Sequence, residues 1–153
     1  MTYSPLIYLI LNNIKRESSS SNEKFNIGCI SCPTLFKTLN YYLKEAKSHP
    51  NISSFENHIE RINIKLFEFD KRFEIYGNDF VFYDYKKPLD FDESFNESFD
   101  MLISDPPFFT EECQIKMGMT IKKIGKSKHK LIICTGMEFE CYFTIFLYIK
   151  LTS

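Results

Sequence analysis

The sequence predicts an α/β fold: a mostly parallel sheet with helices on both faces. Three observations predict it. Short apolar runs rich in Ile and Phe recur along the chain, segments with helical spacing separate several of them, and most of the runs end in an acid or a hydroxyl residue. Strands buried on both faces read as such near-continuous apolar runs, and parallel neighbours need crossovers long enough to hold a helix. With 153 residues and 44% hydrophobic content the chain is expected to form a single domain, residues 1–153, with a sizeable core.

The elements follow in order. Leu6, Ile7, Leu9, Ile10, Leu11 and Ile14 leave one helical face apolar, which predicts a helix over 5–16, ended by the polar run ESSSSNEK. NIGCIS (26–31) is a first strand, and Pro33 then opens a helix whose apolar face is Leu35, Phe36, Leu39, Tyr42 and Leu43. AKSHPNISSFENHIE reads as a loop insertion. INIKLFEFD (62–70) alternates and stops on two acids, NDFVFYDY (78–85) follows as another strand, and FDMLISD (99–105) comes after an acidic loop. Residues 111–124 are amphipathic, and HKLIICTG (129–136) is a last apolar strand stopped by glycine. From about residue 141, CYFTIFLYIKLTS reads as one aromatic strand with a lysine near its end; set against the family that the residues below resemble, it is an atypical tail in place of that family's terminal strands.

The most telling stretch is FDMLISDPPFF. Two prolines fix two φ angles and remove two donors, so the strand before them must end and turn. In parallel sheets ligands bind beyond the carboxyl ends of the strands, and those ends carry Ser31, Glu68 and Asp70, Asp84, Asp105 and Thr135. Acids converging on one rim accept hydrogen bonds from hydroxyls and amines and repel phosphate. The turn CISCPT also lacks the glycine-rich phosphate fingerprint, which disfavours a dinucleotide or triphosphate.

Composition weighs against other classes. The formal net charge of −1 gives no global field for nucleic acid, which stays a less favoured partner, and KKIGKSKHK (122–130) is the one basic run, read as a solvated helix end and loop. The apolar run near the N-terminus is short for a membrane span and has no basic lead-in, so a cytoplasmic or nuclear protein without a membrane partner is expected. Five irregularly spaced cysteines build no disulfide framework, and Cys29-x-x-Cys32, without a second pair or a nearby histidine, reads as packed thiols and not as a metal site.

FEFDKRFEIYGNDFVFYDYKKPLDF (67–91), FDMLISDPPF (99–108), EECQIKMGMTIKK (111–123) and ICTGMEFE (133–140) resemble the lysine methyltransferases of translation elongation factor 1A. These share an Asp-Pro-Pro-aromatic motif with adenine methyltransferases. The resemblance implies a class I, Rossmann-like methyltransferase that uses S-adenosyl-L-methionine, with elongation factor 1A as its protein substrate. It places Ser31 beside the amino-acid part of the cofactor, Glu68 or Asp70 at the ribose, Asp84 with Tyr83 at the adenine, and counts Asp105 among the residues that border the cofactor.

Asp105, Pro106, Pro107 and Phe108 then become the catalytic group. Methyl transfer needs a neutral amine whose lone pair lies in line with the methyl. Asp105 and the Pro106 carbonyl can accept the amine's N–H bonds, both prolines stiffen that rim, and Phe108 can cover a lysine stem or stack on a base. Asp105 can orient the amine or act as its base. Two rivals follow from the same residues: an adenine N-methyltransferase acting on RNA or DNA, and a truncated relative that has lost catalysis.

Overall fold

The structure, a computed structural model, describes residues 10, 12–14, 23–45 and 59–134. Among them run strands β1 (Phe25–Ile30), β2 (Ile62–Glu68), β3 (Phe80–Phe82), β4 (Phe99–Ser104) and β5 (Gly125–Ile133), with helices α1 (Pro33–Glu45) and α2 (Glu111–Ile124). The strands form one sheet in the order β3-β2-β1-β4-β5, and every pairing is parallel. The expected α/β architecture is therefore the observed one. Ile10, Asn12, Asn13 and Ile14 are helical, and the remainder of the predicted first helix, most of the loop insertion, Thr135 and the aromatic C-terminal stretch lie outside the described residues.

Side-chain alternation along the strands divides the core into two layers. Ile27, Cys29, Ile64, Leu66, Met101 and Ile103 face α1, where Phe36 and Leu39 meet them, joined by Ile10 and Ile14. On the opposite face Ile30, Phe67, Leu102 and Phe99 pack on Cys113, Met117 and Ile124 of α2. Phe67 is the hub of this second layer, with edge-on contacts to Tyr83, Phe91, Phe95 and Phe99 at centroid distances between 5.4 and 6.3 Å. Each such buried side chain contributes about 1.5–3 kcal/mol, and edge-on rings add to it.

Local chemistry sets the boundaries. Pro33 occupies the first turn of α1, where its missing N–H costs nothing. Thr110 caps α2 by accepting from Cys113 N–H (3.3 Å), with Glu111 and Glu112 in the first turn and Lys122 and Lys123 in the last, each charge suited to its end of the helix dipole.

Three boundaries differ from the sequence reading. β2 stops at Glu68, because Glu68 Oε1 accepts the N–H groups of both Phe69 (2.8 Å) and Asp70 (3.1 Å) and curls the chain out of the sheet. The expected strand 78–85 shrinks to Phe80–Phe82, since Lys71–Asp79 is a 3-10 helix capped by Asp70 and kinked at Gly77, whose φ of 56° suits glycine. β5 starts early at Gly125, but four residues, Lys126 to His129, bulge out opposite Asp100 before pairing resumes at Lys130 and Met101. No helix of the described residues is long and apolar enough to cross a membrane.

Candidate functional site

The chain leaves β1 toward β2 and β3 on one side and returns to β4 and β5 on the other. This makes the gap between β1 and β4 the topological switch point, the place where open parallel sheets bind ligands at their carboxyl ends. Each ladder runs one residue past its strand: Ser31 N–H donates to the Phe67 carbonyl (2.8 Å), Asp105 N–H to Ile30 (3.0 Å) and Cys134 N–H to Ser104 (2.8 Å). Those bonds seat Glu68, Ser31 and Asp105 side by side on one rim.

Ser31 has a φ of 55°, the left-handed conformation that glycine adopts freely and that costs another residue roughly 1–2 kcal/mol. The backbone thus makes, without glycine, the turn for which a glycine would be expected. Glu68 and Asp70, indistinguishable in the sequence, differ sharply here. Asp70 accepts Arg72 N–H (2.9 Å) and the Arg72 guanidinium on both oxygens, and these bonds hold its carboxyl below the usual range. Glu68 uses only Oε1, and its Oε2 makes no hydrogen bond among the described residues.

Asp105 is exposed at the rim, and its carboxylate makes neither a hydrogen bond nor an ion pair among the described residues. Partial burial by its surroundings raises its pKa above the ordinary value. Pro106 is buried, Pro107 exposed, and Phe108 remains 53% exposed. Just below the rim, Ser104 is buried with no partner for Oγ among the described residues, a feature that its small, unremarkable side chain did not signal.

Asp84 lies on the rim beyond β3 and turns the chain by accepting Lys86 N–H on Oδ1 (2.9 Å). Tyr83 requires a correction: its side chain is 1% exposed and cannot face an adenine. Its hydroxyl is bonded to Thr120 Oγ1 (2.8 Å) and Met117 Sδ (3.4 Å), and burial pushes its pKa up to about 12. The ladder runs one residue past β3, with Tyr83 N–H donating to the Glu68 carbonyl (3.1 Å), and alternation turns Tyr83 inward with Val81 on the α2 side of the sheet.

Cys29 and Cys32 are both buried. The Cys32 thiol donates to the Ile103 carbonyl (3.4 Å), and its contact with Cys29, together with burial, holds its pKa well above the usual thiol value. Both are packed thiols, and the Cys32 thiol is held protonated. The basic run lies at the other end of the sheet, where Lys126, Ser127, Lys128, His129 and Lys130 border a shallow cavity of about 200 Å³ with Phe25 and Asp100.

Residues 3–152 match the family described as "Probable N6-adenine methyltransferase". Among curated proteins, the chain is 37% identical over 123 residues to the EEF1A lysine methyltransferase 1 of Bos taurus, covering 80% of this chain and 47% of that protein. It is 35% identical over 134 residues to the protein of the same name from Danio rerio, covering 87% and 72%. Protein-lysine N-methyltransferase EFM5 of Saccharomyces cerevisiae is 48% identical over 93 residues, covering 52% and 38%. The chain thus spans about half the length of most of the curated relatives it matches. No solved structure matches it.

Proposed function

The chain belongs to the methyltransferase family described as probable N6-adenine methyltransferases, and we propose that it transfers a methyl group from S-adenosyl-L-methionine to a lysine of elongation factor 1A, in the cytoplasm. One observation carries the reading: Asp105 stands at the switch point with no partner among the described residues, and Phe108 is exposed beside it. The names of the relatives supply the acceptor, and the rim supplies the chemistry.

The residues present fit that cofactor. Glu68, with Oε2 unspent, would accept the ribose hydroxyls, a role for which Asp70 is disqualified by its bonds to Arg72. The Ser31 turn would lie beside the amino-acid part and Asp84 at the adenine. Bound there, S-adenosylmethionine would supply a methyl group activated by its attachment to a sulfonium sulfur.

The remaining work falls to the chain's own groups. Asp105 and the Pro106 carbonyl accept the N–H bonds of the incoming amine and turn its lone pair inward. Lysine reaches the site charged, with a pKa of about 10.4, and must lose a proton before it reacts. A carboxylate whose pKa is raised by burial accepts that proton more readily than an ordinary aspartate. Pro106, buried, keeps the rim stiff while Phe108 covers the lysine stem.

The test is to incubate the purified chain with labelled S-adenosylmethionine and either elongation factor 1A or total RNA, with calorimetry of cofactor binding in parallel. Label on the protein is the expected result. Label on RNA instead would replace the reading with the adenine rival, and cofactor binding without any transfer would identify a relative that has lost catalysis.

A further inference from the structure

Tyr85 has no part in the reaction described so far, yet its loop is fastened with unusual care. Thr120, fully buried on α2, donates its hydroxyl to the Pro88 carbonyl (2.8 Å) and bonds the phenol of Tyr83 (2.8 Å). Both ends of the segment 83–88 are therefore tied to one side chain. Its middle is drawn in by Asp84, whose carbonyl accepts Lys87 N–H (2.9 Å) and whose Oδ1 accepts Lys86 N–H.

This clamp presents the half-buried Tyr85 ring to Phe108, at a centroid distance of 5.7 Å and an angle of 58°. The two rings come from different elements, the loop after β3 and the motif after β4. Their inclination makes a corner. A flat base is best held on one face or between two parallel ones, whereas a corner of two ring faces suits a rounded aliphatic stem ending in a cation.

We propose that Tyr85 is a specificity residue for the acceptor: together with Phe108 it forms an aromatic corner that holds the lysine stem and its ammonium or methylammonium head beside Asp105. The proposal rests on the lysine reading above. It gives the buried Tyr83 and Thr120 a purpose as well, since they are positioning residues that hold Tyr85 in place.

Two measurements on the full chain test it. In the transfer assay, Tyr85→Ala should raise KM for elongation factor 1A about fivefold to thirtyfold while leaving the Kd for S-adenosylmethionine within twofold, and Tyr85→Phe should keep the wild-type KM. An unchanged KM in Tyr85→Ala, or an equal loss of cofactor affinity, overturns the proposal. Separately, tetramethylammonium titrated into the protein should shift the ring resonances of Tyr85 and Phe108, and the Phe108 response should vanish in Tyr85→Ala. If the wild-type chain does not methylate elongation factor 1A, the lysine reading fails, and the titration still decides the corner: no shift at either ring overturns it.

Discussion

Asp100 and Asp105 stand at opposite ends of β4, and the fold treats their carboxylates in opposite ways. Asp100 Oδ2 accepts the Asn26 N–H (2.9 Å) and Oδ1 pairs with Lys126 (2.6 Å). Asn26 in turn is bonded to the Ser98 carbonyl and to Asn63. Asp105 has no such partner among the described residues, although its surroundings partly desolvate it. Glu68 falls between them, with one oxygen used and the other open. The amino end of the sheet satisfies its own polar groups. At the carboxyl end, open acids border the switch point beside exposed Phe108 and Phe109. An acid kept unpaired where desolvation penalises it is explained by a partner that arrives from outside, whereas a paired acid is explained by the fold itself.

Replacing Asp105 gives the sharpest test of that difference. Asp105→Ala should lower the transfer rate about 10²–10⁴-fold, the range for loss of a positioned acid–base group, while the Kd for S-adenosylmethionine changes by only a few fold. Full activity in a radiolabel assay would break the comparison at its centre. Next comes the acid proposed to hold the cofactor: Glu68→Gln should weaken cofactor binding about tenfold to a hundredfold, as expected for a hydrogen bond to a charged group, whereas Asp70→Asn should leave it unchanged. Calorimetry that ranked the two variants the other way would show that the Arg72 pairing does not decide which acid is available.

The sequence exposed the carboxyl rim better than the residues that support it. DPPFF and the acids that end the strands are visible because prolines and terminal charges interrupt apolar runs, and interruption is a local signal. The choice between Glu68 and Asp70 was illegible, since it depends on where Arg72 folds back, in a 3-10 helix where the sequence reading placed no element. Tyr83 was placed at the adenine by resemblance alone, whereas alternation from Val81 turns its side chain into the α2 side of the core. Thr120 could not be singled out at all. It is one polar residue in an amphipathic helix, and the two partners that matter, Tyr83 and Pro88, lie far away in sequence.

At the amino end the expected effects move from activity to stability. Asp100→Ala strands the Asn26 N–H and leaves Lys126 without its carboxylate, so urea unfolding should show a loss of about 1–3 kcal/mol. The rate of the proposed transfer by the folded variant should stay at the wild-type value. A fall in kcat with unchanged stability would mean that the two ends of the sheet are not separable in this way.

The smallest effect is also the most diagnostic, because two acids on the same rim should respond to pH with opposite signs. Partial burial raises the Asp105 pKa in the folded chain, so folding favours its protonated form, and the stability this group contributes is complete below its ordinary pKa of 3.8 and lost as pH rises through the raised value. Asp105→Asn removes the ionisation, so its melting temperature should exceed that of the wild-type chain at pH 7, and the gain should fade as the pH approaches 3. Asp70 behaves in the reverse sense. Its bonds to Arg72 depress its pKa, so its contribution is present above 3.8 and lost as pH falls through the depressed value; Asp70→Asn should therefore melt below wild type at pH 7 and converge with it in acid. Melting curves of the three proteins between pH 3 and pH 7 read both signs in one experiment. Asp105→Asn melting below wild type at pH 7 would mean that Asp105 has a stabilising partner within the chain, and the case for holding it open to an acceptor would fall with that result.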